Sequence, residues 1–186
     1  MNRNIKLFLV FFLLVTAVFC NLPAQAAPDN KVVKLLTQAS RFLVNNEYDK
    51  AIEKCNEMLA IEPKCSGAYY LRGFAYRYKG EYDLSIMDFT QTLRIDPKYA
   101  AAYYGRGISF AYKQMYAEAI SDFTAAIGID PGYKDAYFNR ARVYYDMEEY
   151  DKAWDDVDKA KALGIETDLL YKGFIRKLQD ATGRFQ

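Results

Sequence analysis

Histidine is absent from this 186-residue chain, and cysteine occurs three times, proline five and glycine ten. Without histidine there is no Ser–His or Cys–His couple to activate a nucleophile, and no imidazole to hold a metal. Cys20, Cys55 and Cys65 form no CxxC pair, which removes the thiolate metal sites as well. No glycine-rich loop of phosphate-binding pattern occurs. Adjacent acids such as Asp155 and Asp156 project apart on a helix and make no carboxylate dyad. These absences remove every recognisable nucleophile–base set, so the chain is read as a non-enzyme without metal or cofactor. Scarce proline and glycine leave little room for a loop-rich sandwich. Charge of one sign is lacking too: 25 basic residues face 24 acidic ones, net +1. No basic patch points to nucleic acid.

What is present is apolar and aromatic matter: 52% hydrophobic residues and 16% aromatic, with 17 tyrosines. That excludes a disordered chain. The first stretch has a separate logic. Arg3 and Lys6 open it, Leu7–Phe19 is an apolar run, and Ala24-Gln25-Ala26 has the small-x-small form of a cleavage site. The run suits a translocon but falls short of the roughly 20 residues that span a bilayer. Residues 1–26 are therefore expected to be a signal peptide, and the chain to be exported, periplasmic or secreted. An uncleaved anchor is the alternative, and the membrane enters as a partner only through it. A lipid-modified Cys20 is a third reading, disfavoured by Phe19 where a small residue is wanted.

The word EYDKA stands at Glu47–Ala51 and again at Glu149–Ala153, with EYD at Glu81–Asp83 between them. Tyr48, Tyr82, Tyr116 and Tyr150 are spaced by 34 residues. Such a period signals an array of supersecondary units. Units starting at Val32, Ser66, Ala100 and Lys134 align without gaps (32–65, 66–99, 100–133 and 134–165). Their fourth position reads Leu35, Tyr69, Tyr103, Tyr137; the eighth Ala39, Gly73, Gly107, Ala141; the eleventh Phe42, Tyr76, Phe110, Tyr144. The twentieth reads Ala51, Ser85, Ala119, Ala153, and the twenty-fourth Cys55, Phe89, Phe123, Val157. Pro63, Pro97 and Pro131 close three units, and Ile165 replaces the fourth proline.

Positions 4, 8 and 11 share one face of a first helix, and 20, 24 and 27 one face of a second. Small residues at 8 and 20 let the axes approach, and large residues at 4, 11 and 24 fill the space around them. Proline ends the second helix. Each unit is then a helix–turn–helix that hides its apolar face only by stacking on neighbours. Beyond Gly164, Leu170, Phe174 and Leu178 form one stripe, with Thr167 as N-cap and Gly183 as stop. Residues 166–186 are expected to supply a C-terminal capping helix over Thr167–Ala181.

These residues resemble the tetratricopeptide repeat over Val32–Ile165, with departures at Met58, Ser85, Thr92 and Ile165. The resemblance implies an all-α fold, a right-handed α-solenoid of four helix–turn–helix repeats plus the capping helix. It also implies a protein–protein interaction module whose inner helices line a concave groove at positions 2, 5, 9, 12 and 13. The residues placed there include Tyr70, Phe74, Arg77, Tyr78, Tyr104, Ile108, Tyr112, Phe138, Arg142 and Tyr145. Because positions 4, 8 and 11 already serve the core, this second aromatic row is expected to be partly exposed, contiguous and ligand-binding. The contrary expectation is that neighbouring helices cover it. The expected partner is an extended or helical segment of another envelope protein. The alternative is an envelope carbohydrate stacked on tyrosine faces, for which only Arg77, Arg142 and Asp146 offer polar flanks. The co-chaperone subset grips a terminal carboxylate with lysine at position 5 and asparagine at position 9 of its first unit. Leu36 and Ser40 stand there, so an anionic peptide tail is not expected.

Two further expectations concern pairs. Arg72, Arg106 and Arg140 at position 7 co-occur with Asp88, Asp122 and Asp156 at position 23, and the first unit lacks both. That pattern suggests bidentate stitches between the two helices of a unit; arginines aimed at an acidic ligand are the other reading. Export makes a Cys55–Cys65 bridge chemically possible. However, Cys55 to Ile61 alone climbs about 9 Å of helix, and a bridge tolerates roughly 7 Å between α-carbons. Two free thiols are expected, Cys55 buried and Cys65 nearer the surface.

Overall fold

The structure is a computed structural model that describes residues 31–165 and 169–184. The expected signal peptide, Cys20 and the Thr167 cap lie outside the described residues. Among those described, nine helices and no strand occur. They are α1 (Lys31–Val44), α2 (Tyr48–Ile61), α3 (Ser66–Tyr78), α4 (Tyr82–Ile95), α5 (Ala100–Tyr112), α6 (Tyr116–Ile129), α7 (Lys134–Asp146), α8 (Tyr150–Ala162) and α9 (Leu169–Thr182). Consecutive helices pack on one another as in an α-solenoid, α1 through α4 in one run and α6 through α9 in another.

The same backbone device joins the helices inside every unit. Position 15 is left-handed in all four: Asn46 (φ 61), Gly80 (φ 79), Gln114 (φ 59) and Glu148 (φ 61). The residue after it donates its N–H back to the carbonyl of position 11, as Glu47 to Phe42 at 2.9 Å and Met115 to Phe110 at 3.0 Å. This is the six-to-one bond of a Schellman stop, which satisfies a carbonyl that the helix leaves open. Between units the turn is closed by an acid. Asp96 Oδ1 accepts the Lys98 N–H at 3.0 Å, and Asp130 Oδ1 accepts that of Gly132 at 2.9 Å.

The chain divides into two compact units between Ala102 and Tyr103. The core of the first gathers Leu35, Leu36, Ala39, Ala51, Cys55, Met58, Leu71 and Ala75. In the second, one cluster surrounds Ile108, Ala119, Phe123 and Val143, and another joins Phe138, Trp154 and Val157 to Phe174 and Leu178 of α9. The close-approach positions behave as expected: Gly73, Gly107 and the residues at position 20 are buried. A methyl on Gly107 would stand 2.9 Å from the Phe123 ring.

The cysteines divide. Cys55 is a free, buried thiol. Cys65 corrects the expectation twice, being fully buried and disulfide-bonded. Its bridge is not to Cys55, and its partner lies outside the described residues. Cys65 stands at position 34, a place where Tyr99 and Tyr133 are also drawn inward.

Candidate interaction surface

The three arginine–aspartate pairs form, each bidentate. Arg72 donates from Nε and Nη2 to Asp88 at 2.7 and 2.8 Å, Arg106 to Asp122 at 2.7 and 2.8 Å, and Arg140 to Asp156 at 2.7 and 2.7 Å. Burial pushes the Asp88 and Asp122 carboxyls up, and the bonds from arginine oppose it. A third contact escaped the sequence reading. The Nη1 of Arg72 reaches Asn56 Oδ1 at 2.5 Å, and that of Arg140 reaches Thr124 Oγ1 at 2.8 Å. Both acceptors occupy position 25 of the preceding unit, so each of these arginines ties two repeats as well as two helices. The recurring polar residue there was the available signal.

The aromatic row is rearranged. Tyr70 does not stand free on an inner wall. Its ring packs on Phe89 with centroids 5.7 Å apart and stacks against Tyr99 at 4.9 Å. Burial pushes its phenol from 10.0 up to about 12. Tyr104 repeats the arrangement in the second unit with Phe123 at 5.9 Å and Tyr133 at 4.9 Å, and its oxygen accepts from Asn139. Position 5 therefore serves the core. The tyrosines of position 4 are half-buried as well and lie under the arginine stitches, as with Arg72 over Tyr69 at 5.5 Å.

Ile108 is buried, and so is Phe138, which α9 covers through Tyr171 and Phe174. Tyr145 meets Phe174 edge-on at 5.5 Å and Tyr150 at 5.8 Å. The expectation of a partly exposed row is thus corrected at Ile108 and Phe138, which are buried, while Tyr70 and Tyr104 are half-buried. The capping helix and the turn tyrosines compete for the same apolar faces and win them.

Position 13 remains open. Tyr78 is 53% exposed and Tyr112 63%, and Arg142 is exposed on α7. Around Tyr78 a cluster assembles within the first unit. Its ring lies parallel to Tyr48 of α2, with centroids 5.6 Å apart at 14°, and 4.7 Å from Phe74. The Arg77 guanidinium sits 4.5 Å from the Tyr78 ring and 4.9 Å from that of Phe74. Beside it Lys79 is neutralised by Asp49 and Glu81, each at 2.7 Å. Tyr48, whose approach comes from the other helix pair, is read from the sequence as a marker of the period and not as a groove residue.

The comparisons with known proteins agree with this architecture. A family described as "TPR repeat" matches residues 73–115, and one described as "Tetratricopeptide repeat" matches 111–153. The chain carries tetratricopeptide repeats over residues 73–153. Among solved structures, MamA from Desulfovibrio magneticus (residues 41 to the end) superposes with a TM-score of 0.74 at 20% identity, covering 84% of this chain and 88% of that one. Another crystal structure of MamA gives 0.68 at 24% identity, covering 77% and 83%. The first TPR of Spaghetti, solved bound to an HSP90 peptide, gives 0.61 at 21% identity, covering 64% and 94%. At these identities the likeness concerns the fold. A search of curated proteins finds no match. The fold is that of protein–protein interaction modules, which are typically scaffolds without enzymatic activity.

Proposed function

We propose that this chain is an exported tetratricopeptide adaptor that holds a segment of another protein against the exposed Tyr78 ring of α3. The observation that carries the reading is the Tyr78 cluster: a half-exposed tyrosine held rigidly by Tyr48, Phe74 and Arg77. Tyrosine fixed in this way offers contact area at little entropic cost, with a polar tip for the partner's backbone. Within the second unit, Tyr112 and Arg142 are exposed as well. The peptide held by the first TPR of Spaghetti is the analogy for this kind of partner. Export rests on Arg3, Lys6, the apolar Leu7–Phe19 run and the Ala24-Gln25-Ala26 site.

A photo-crosslinking amino acid placed at Tyr78 or Tyr112 in cells tests the reading. Covalent adducts to one recurrent protein are expected, recovered from the periplasmic or secreted fraction. A control position on an outer face, Lys172, should give none. Adducts confined to glycan would replace the protein partner with a carbohydrate, and a cytoplasmic pool of full-length chain would remove the exported location.

A further inference from the structure

Arg77 differs from the three arginines that stitch the repeats. Arg72, Arg106 and Arg140 each have a buried aspartate in bidentate contact. The Arg77 side chain makes no hydrogen bond and no ion pair among the described residues, although its Nε is buried and has no acceptor. Burying part of a guanidinium costs free energy unless an acceptor compensates it. The flanking rings of Phe74 and Tyr78 compensate only in part, since cation–π contact uses the face of the guanidinium and leaves its N–H edge unsatisfied. Local acids do not supply the missing partner. Asp49 and Glu81 are both taken by Lys79.

Resting on the reading above, we propose that Arg77 is the anchor for a side-chain carboxylate of the partner, an internal aspartate or glutamate. An apolar or planar residue beside that acid would lie on the exposed Tyr78 ring. The charge complement selects this occupant: among the described residues of the cluster, Arg77 is the cation without an acid, and its guanidinium lies 4.5 Å from the centre of the exposed ring. A guanidinium packed against two rings has already given up part of its freedom, and its fork matches a carboxylate with two parallel bonds. The site differs from a terminal-carboxylate clamp, whose positions hold the apolar Leu36 and the buried Ser40. Recognition of an acid here comes from the end of α3.

A phage-displayed random peptide library panned on the full chain supplies the probe, and the strongest selected peptide is then synthesised. Selected sequences are expected to share an aspartate or glutamate next to an apolar residue. Changing that acid to its amide, or Arg77→Gln in the protein, should each weaken binding about tenfold or more, and the two changes together little further. Arg77→Lys should keep part of the affinity, and added salt should weaken the wild type more than Arg77→Gln. Melting curves establish that the variants fold. Equal binding by folded Arg77→Gln, or selected peptides without a common acid, overturns the proposal. Loss on amidating only the peptide's C-terminus overturns it too. Binding that depends on Tyr78 but not on Arg77 would leave the adaptor reading standing and remove only the acid. A library that yields no peptide overturns both, and self-association abolished by Arg77→Gln would make a second copy the occupant and overturn the proposal.

Discussion

Replacing Asp122 by alanine would leave Arg106 as a half-buried guanidinium facing the space its carboxylate held. The side chains are 19% and 6% exposed, so water offers little replacement. Breaking one side of such a pair should cost about 3–5 kcal/mol. The double change Arg106→Met, Asp122→Leu should cost less than that single one, because it leaves no stranded charge. Urea unfolding of both variants measures this, and costs that simply add would mean the pair is uncoupled. A second consequence belongs to Tyr70. Burial raises its phenol to about 12 from 10.0, so the fold holds the neutral form. The stabilisation is complete below the unfolded value and is lost as pH climbs from about 10 to about 12. Tyr70→Phe should flatten that alkaline decline, as read from melting temperature across the window. The stitches were legible because arginine and aspartate recur together and are missing together from the first unit. Their outer bonds to Asn56 and Thr124 were not read, since they link positions in different repeats.

Among the helices, glycine separates two situations that look alike in sequence. Gly107 and Gly128 both lie within helices of one repeat, α5 and α6. At Gly107 an added methyl would meet the fully buried Phe123 ring at 2.9 Å. Nothing lies within 4 Å at Gly128. Alanine gains up to about 1 kcal/mol of helix propensity at either site, but overpacking costs roughly 1–3 kcal/mol. Gly107→Ala should therefore destabilise and Gly128→Ala stabilise, and opposite shifts in urea midpoint are the check. The turns give a parallel case. Gln114 and Glu148 adopt φ 59 and 61 where Gly80 has 79, and a left-handed side chain costs about 1–2 kcal/mol. Gln114→Gly should raise the midpoint by a fraction of that, glycine's extra unfolded-state entropy offsetting the rest. Helix positions were readable from the 34-residue period because each turn repeats the same stop. The face assignment at position 5 failed for a different reason. Tyr70 and Tyr104 are covered by tyrosines 29 residues further along the chain, beyond the reach of any helical periodicity.

Over the whole molecule, an array of repeats hides its core only where something covers its last apolar face. Here α9 does so within the second unit. Its inner side carries Tyr171, Phe174 and Leu178 against Phe138, Trp154 and Val157, and its outer side exposes Lys172, Arg176, Lys177 and Asp180. Two polar contacts fix its far end: Trp154 Nε1 donates to Thr182 Oγ1 at 3.2 Å, and Arg184 pairs with Asp151 at 2.9 Å. Aromatic side chains bury roughly 150–250 Å² each. At about 25 cal/mol per Å², uncovering even half of Phe138 and Trp154 forfeits about 4–6 kcal/mol. That is a large part of the 5–15 kcal/mol typical of a domain. Truncation after Ile165 should therefore lower the melting temperature sharply and create binding of a hydrophobic dye, whereas Arg176→Ala on the outer side should stay within about 0.5 kcal/mol of the parent. Trp154 reports the event directly, since it loses both its cover and its hydrogen bond. Its fluorescence should shift to the red in the truncated chain before any heating. A truncated chain that melts with the parent and keeps its tryptophan emission would show that α9 is an appendage, and Phe138 would then return to the residues open to a partner.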